Sequence, residues 1–139
     1  MAEANLYLPY AASIPKGVRL GQYVVDTGET VRMGRLVKFT GTNEVSECAG
    51  ADLPLGYSLP DAENSVINEA EQYEEGQVVR IAAVGAGEPV SCVASGTVTQ
   101  GEEVETDAGG TVKTLDTGTA CGKALTTADD TERVVIILY

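Results

Sequence analysis

Along residues 30–39, TVRMGRLVKF, the apolar side chains Val31, Met33, Val37 and Phe39 fall on one parity and Arg32 and Lys38 on the other. That period of two predicts a half-buried strand. TGTN at 40–43 reads as a turn, EVSECA as the next strand, and LPLGYSLP at 53–60 as a short segment closed by prolines. GQVVRIAAVGAGEPVSCVASG, 76–96, supplies two strands around Gly85, Ala86 and Gly87. In EEVETDAGGTVKTLDTGTACGKAL, 102–125, turn signals at Asp107–Gly110 and Asp116–Gly118 bracket the short strand TVKTL at the spacing of a β-meander. RVVIILY ends the chain as an apolar strand, which must be central or covered because an exposed one would aggregate. Helix-like spacing occurs at 61–75, where Val66, Ile67, Ala70 and Tyr73 follow potential caps at Asn64 or Ser65; one or two helical turns or an ordered acidic loop both fit.

The elements add up to an all-β chain, a small β-barrel or β-sandwich with Gly-rich turns and at most one short helix. Sixteen glycines, six tyrosines, one phenylalanine and no tryptophan agree with short strands separated by turns. A length of 139 residues suits one domain, placed here at 17–139. Residues 1–16 differ: AEANLYLPYAASIPKG carries large apolar side chains and two prolines without turn signals, and so reads as an extended arm. Its Leu6, Tyr7, Leu8, Tyr10 and Ile14 are the candidate contacts to a neighbouring surface, with a fold-back onto their own domain as the plain alternative.

The frame V-R-[L/M]-G-x-[Y/L]-V occurs at 18–24 and 31–37, and its core V-x-x-G-x-x-V returns at Val98, Gly101 and Val104 and, more loosely, at Tyr73, Gly76 and Val79. Repeated units of strand, Gly corner and strand would produce it. Between the first two copies lies Asp26-Thr27-Gly28, and a second DTG stands at 116–118. Paired DTG triplets suggest an aspartic protease, in which two carboxylates share a proton. The chain is too short for two protease lobes, however, and lacks a Gly-rich flap with a Tyr at its tip; in a homodimer, the second triplet would have no role. D-x-G between β-rich runs is explained by turns. Glu102, Glu103, Glu105 and Asp107 gather oxygen donors, but without EF-hand spacing, and read as a solvated acidic strand edge.

Charge and missing residue types exclude more. Twenty-one acidic residues against nine basic ones give a net charge of −12, which repels nucleic acid and anionic membrane surfaces. With no histidine, the usual serine and cysteine triads and most zinc sites are gone. Cys48, Cys92 and Cys121 form no CxxC and read as buried thiols, although their odd number leaves an inter-subunit disulfide open. No basic stretch leads into an apolar N-terminal core and no run reaches membrane-spanning length, so the expectation is a soluble chain made in the cytoplasm. No metal, cofactor or catalytic residue is assigned.

Gly34-Arg35-Leu36-Val37-Lys38, Leu55-Gly56-Tyr57, Gly76-Gln77-Val78-Val79-Arg80-Ile81, Gly101-Glu102-Glu103-Val104 with Asp107-Ala108-Gly109-Gly110-Thr111-Val112, and Gly122-Lys123-Ala124-Leu125 before the strand 133–138 follow one another in an order that resembles the capsid decoration, or cement, proteins of tailed viruses. The match covers 30–139, and the arm poorly. The resemblance implies a compact β fold bound to the outer surface of an assembled viral head, with the major capsid protein as partner, commonly as a homotrimer, and with no catalytic residues. Two other classes stay open on the residues alone. One is a surface glycan-binding module stacking sugars on exposed tyrosines among Tyr7, Tyr10, Tyr23, Tyr57, Tyr73 and Tyr139; the other is the dimeric aspartic protease.

Overall fold

The computed structural model describes residues 19–50, 52–59, 72–83 and 87–139. The first part comprises β1 (Arg19–Val25), β2 (Val31–Arg32), β3 (Leu36–Gly41), β4 (Glu44–Glu47), β5 (Gly56–Ser58), β6 (Gln72–Tyr73) and β7 (Val78–Ala83). Five of these close into a barrel in the order β1-β4-β3-β5-β7, and β2 pairs with β6 outside it. The run 30–39 is therefore not one strand. Gly34 sits at φ 73, a left-handed conformation that turns the chain between β2 and β3. Beyond that corner the parity no longer holds: Leu36 and Val37 are both buried, the β3–β4 register shifts between Phe39 and Gly41, and Phe39 is 49% exposed. Tyr73, read above as part of a helix-like pattern, lies in a strand opposite Val31, with its hydroxyl donating to the Leu59 carbonyl at 2.9 Å. Residues 60–71 lie outside the described residues.

The second part repeats the first. β8 (Pro89–Val93), β9 (Glu103–Asp107), β10 (Thr111–Thr114), β11 (Gly122–Ala124) and β12 (Arg133–Leu138) form a sheet in the order β10-β9-β11-β12-β8. Its two edges meet in a parallel bridge between Ala94 and Val112. Taken in chain order, both sets of five strands follow one circuit: first with third in parallel, then third with second, second with fourth, fourth with fifth and fifth with first, all antiparallel. Single hydrogen bonds repeat as well. The Asp26 N–H donates to Val45 O at 3.0 Å and Ser95 N–H to Val112 O at 2.7 Å; Leu55 N–H to Val37 O and Cys121 N–H to Val104 O, both at 2.8 Å; Leu59 N–H to Arg80 O and Leu125 N–H to Val135 O, again both at 2.8 Å. Val31 opposite Tyr73 corresponds to the bridge of Val98 with Ala128.

The fold is thus all-β, two copies of one five-stranded circuit in tandem, with a single turn of 3-10 helix at 108–110 among the described residues. RVVIILY is central, as its apolar character requires, since β12 runs between β11 and β8. The stretch 102–125 is not a meander, because β9 lies between β10 and β11. That order also corrects the acidic strand edge: β9 is interior, and Glu105 on it is buried, accepting the backbone N–H groups of Asp116 at 2.5 Å and Gly118 at 3.4 Å. Here a carboxylate satisfies turn donors rather than facing water. One apolar cluster runs through both copies, from Val25, Leu36, Val45, Tyr57 and Ile81 in the first to Val90, Val104, Val112, Val134 and Ile136 in the second.

Candidate docking surfaces

The arm contacts expected from sequence, Leu6, Tyr7, Leu8, Tyr10 and Ile14, lie outside the described residues. Within them, the surface the structure uses for docking is the one joining the two copies. The first copy offers a ring of carbonyls. Arg133 donates through Nη1 to Gly34 O at 2.7 Å and, within its own copy, to Ser91 O at 2.9 Å; Thr106 Oγ1 donates to Asp52 O at 2.5 Å and Ala49 O at 3.2 Å, and the Gly110 N–H donates to Cys48 O at 2.8 Å. In return Arg35 Nη1 donates to Gly109 O at 2.9 Å and the Tyr57 hydroxyl to Ser91 O at 2.6 Å. The donor residues are buried, so each bond stands in for water that the donor lost on packing.

Beside this seam opens a cleft of about 410 Å³ lined by Arg32, Arg35, Ser95, Thr111, Asp130 and Thr131 together with Val93, Ala94 and Ala108. Its charges are internally engaged. Arg32 holds Glu47 through Nε and Nη2, each at 3.0 Å, Arg35 reaches Gly109, and Asp130 accepts the Gly96 N–H at 2.8 Å. The Ser95 hydroxyl, donating at 2.8 Å, holds Asp107 below the usual carboxylate range, with the Ala108 N–H adding to the effect. Across the first copy Lys38 and Asp52 pair at 2.8 Å, which raises the lysine and lowers the aspartate. Both are about one-third exposed, so the pair contributes little to stability.

The two DTG triplets occupy unrelated turns. Asp26 Oδ1 accepts the Thr27 N–H at 2.7 Å and its carbonyl accepts the Glu29 N–H at 3.1 Å, whereas Asp116 sits on the Glu105 carboxylate. They are not equivalent in the duplication: Asp26 matches Ser95, by the hydrogen bonds given above. All three cysteines are free and buried, in agreement with the thiol reading. Among the described tyrosines Tyr57 and Tyr73 are core residues, Tyr23 is half-buried, and Tyr139 is 54% exposed with its hydroxyl donating to Glu103 at 2.6 Å. The described tyrosines therefore provide no stacking platform of several rings. Large apolar side chains do stand exposed elsewhere, notably Phe39 and Val78 at one end of the first barrel. Parity places Phe39 on the inner side with Val31, Met33 and Val37, which are buried; Phe39 departs from it because it stands where the β3–β4 register shifts before Gly41, at the end of the barrel.

No known family's sequence pattern matches the chain, and no curated protein matches it. Among solved structures, the head fiber gp8.5 N base of bacteriophage phi29 superposes with a TM-score of 0.66 over 88% of this chain and 93% of that one, at 17% identity. At that identity, the two proteins share a fold.

Proposed function

We infer that this chain is a capsid-associated structural protein of a tailed virus. It acts as a decoration, or cement, protein: made in the host cytoplasm, it binds the outer surface of the assembled head through the major capsid protein, associates as a homotrimer and stabilises the shell. The observation that carries this reading is the fold shared, along nearly the whole of both chains, with the base of a phage head fiber. The order of motifs over 30–139 supports it independently, because that order alone resembles the decoration proteins. A charge of −12 suits a surface turned to water and disfavours contact with packaged nucleic acid or with membrane. The reading assigns no catalysis and no cofactor, and treats Asp26 and Asp116 as turn residues. Electron microscopy of native particles tests it: density for this fold on the outside of the head, at three-fold or quasi-three-fold positions, is the expected result. Purified chain that fails to bind heads stripped of their surface proteins would overturn it.

A further inference from the structure

The duplication allows each end of one barrel to be compared with the same end of the other. In the second copy the end that packs against the first carries Thr106, Gly110 and Arg133. Their counterparts in the first copy follow from register. Thr106 lies opposite Val112 as Phe39 lies opposite Val45; Arg133 lies opposite Val93 as Val78 lies opposite Val24. Gly110 and Asn43 hold the same place in their hairpins, both with positive φ, 68 and 58. In the second copy this end is buried on a barrel of the same fold. In the first copy it is open, with Phe39 49% and Val78 55% exposed. The open residues adjoin one another: the Phe39 ring lies 5.2 Å from that of Tyr23, Val24 pairs with Val78, and the Val24 N–H donates to Asn43 O at 2.9 Å. The exposed positions Phe39, Thr40, Thr42, Asn43, Gln77 and Val78 are uncharged, and the exposed Glu74 and Glu75 border them beside Gln77.

The opposite ends differ in the reverse sense. The first copy receives the second on an apolar end, with Met33, Leu36 and Tyr57 buried and Leu36 directly across from Tyr57. The corresponding cross-strand pair in the second copy is Glu103 with Lys123, both exposed, and Gln100 stands exposed in place of Met33. That end is the outer, closed one: charge replaces the apolar pair of the first copy, and the exposed ring of Tyr139 is tied there by its hydroxyl to Glu103.

We propose that the open end of the first barrel, centred on Phe39 and Val78, is the contact between copies of this chain. The sister of this face is seated on a barrel of the same fold, and such a barrel is supplied from outside the chain by a second copy. The receiving end of the first barrel is filled by the chain's own second barrel, and that of the second barrel is charged, so the open ends meet one another around a rotation axis. A contact of that kind closes on itself and stops at a small oligomer instead of growing into a filament. The inference rests on the self-association in the function proposed above and is independent of shell binding.

The test uses the free full-length chain. Sedimentation velocity across a concentration series gives the association constant of the native protein and of a Phe39→Asp, Val78→Asp variant, with circular dichroism to confirm the fold. The native chain is expected to assemble and the variant to associate at least tenfold more weakly. Phe39→Ser with Val78→Thr provides the same reading should the charged pair unfold, and Gln100→Asp at the closed end should leave assembly unchanged. A native chain that is monomeric throughout the series, or variants that assemble as it does, would overturn the proposal. So would variants that assemble normally and lose only their binding to stripped heads, since the face would then be a shell contact. Failure of the native chain to bind stripped heads, by contrast, bears on the function and not on this contact.

Discussion

Gly56 and Gly122 hold the same position in the two barrels, and each lets its strand lie against its neighbour where a side chain could not fit. A Cβ on Gly56 would stand 2.5 Å from Ile81 Cγ2 and 2.8 Å from the Ala82 carbonyl oxygen, and one on Gly122 would strike the carbonyl oxygen of Ile137, the residue corresponding to Ala82. Backbone cannot move aside as a side-chain tip can. Gly56→Ala and Gly122→Ala are each expected to cost about 1–3 kcal/mol, the range for overpacking. Gly50→Ala, which meets nothing within 4 Å, should be neutral within about 0.5 kcal/mol, all three read by thermal or denaturant melts. The thiols yield a second expectation. Burial pushes Cys48 and Cys92 up to about 12 and Cys121 up to about 11, from an ordinary value of 9.0. The folded state therefore favours the neutral thiols. Their contribution to stability is complete below pH 9 and is lost as pH rises through 11 to 12, so melting temperature should fall across that alkaline window. At neutral pH a thiol reagent should label none of the three until the chain is unfolded. The buried cysteines were legible in the sequence from their spacing and the lack of partner ligands. Glu105 was not, because nothing in a run of acidic residues distinguishes one that caps a turn from one that faces solvent.

At the scale of elements, Arg133 opens β12 and fastens the two barrels. It is buried, and its guanidinium spans Gly34 O and Ser91 O. Arg133→Met keeps most of the volume and leaves Gly34 O without that donor, so a loss of about 1.5–3 kcal/mol is expected in urea melts. Arg133→Lys should recover only part of it, since an ammonium lacks the second nitrogen, Nη2, with which the guanidinium also reaches Met33 O at 3.5 Å. The strands themselves were readable wherever a short apolar or β-rich run was local and set off from turn signals, as in EVSECA, GQVVRIAA and RVVIILY. Which strands pair was not, because pairing depends on contacts distant in sequence, and β9 between β10 and β11 looks on paper like a simple meander. The V-x-x-G-x-x-V frame was half informative. Val31, Gly34 and Val37 do correspond to Val98, Gly101 and Val104, where both glycines take positive φ to turn from an outer bridge into the second strand of the circuit. Tyr73, Gly76 and Val79 belong to the other corner, matched by Ala128, Thr131 and Val134, where Thr131 adopts the same left-handed conformation at φ 68 as Gly76 at 79. The copy at 18–24 has no such counterpart; its described residues, 19–24, lie within β1.

For the whole molecule, the duplication stayed hidden because barrel closure constrains backbone direction and burial much more than side-chain identity. Val45 and Val112, or Ile81 and Ile136, survive as matching core residues, whereas Leu36 across from Tyr57 has become Glu103 across from Lys123 as a receiving end became an outer one. Among the described residues, every strand of the first barrel finds both of its neighbours within 19–83. This bears on the arm, whose part in attachment is a proposal from sequence. Burying Leu6, Tyr7, Leu8, Tyr10 and Ile14 on a neighbour would gain about 1.5–3 kcal/mol per large side chain, less the cost of ordering the backbone, enough to supply much of the attachment energy. A chain lacking residues 2–14 is therefore expected to melt nearly as the full chain does, and to lose its hold on the shell. Stripped heads incubated with either chain, then heated or moved to low salt, provide the measurement through bound copies and intact heads. Equal occupancy and equal protection would remove the arm from attachment. A collapse of the melting transition on truncation would show instead that the arm packs on its own barrel.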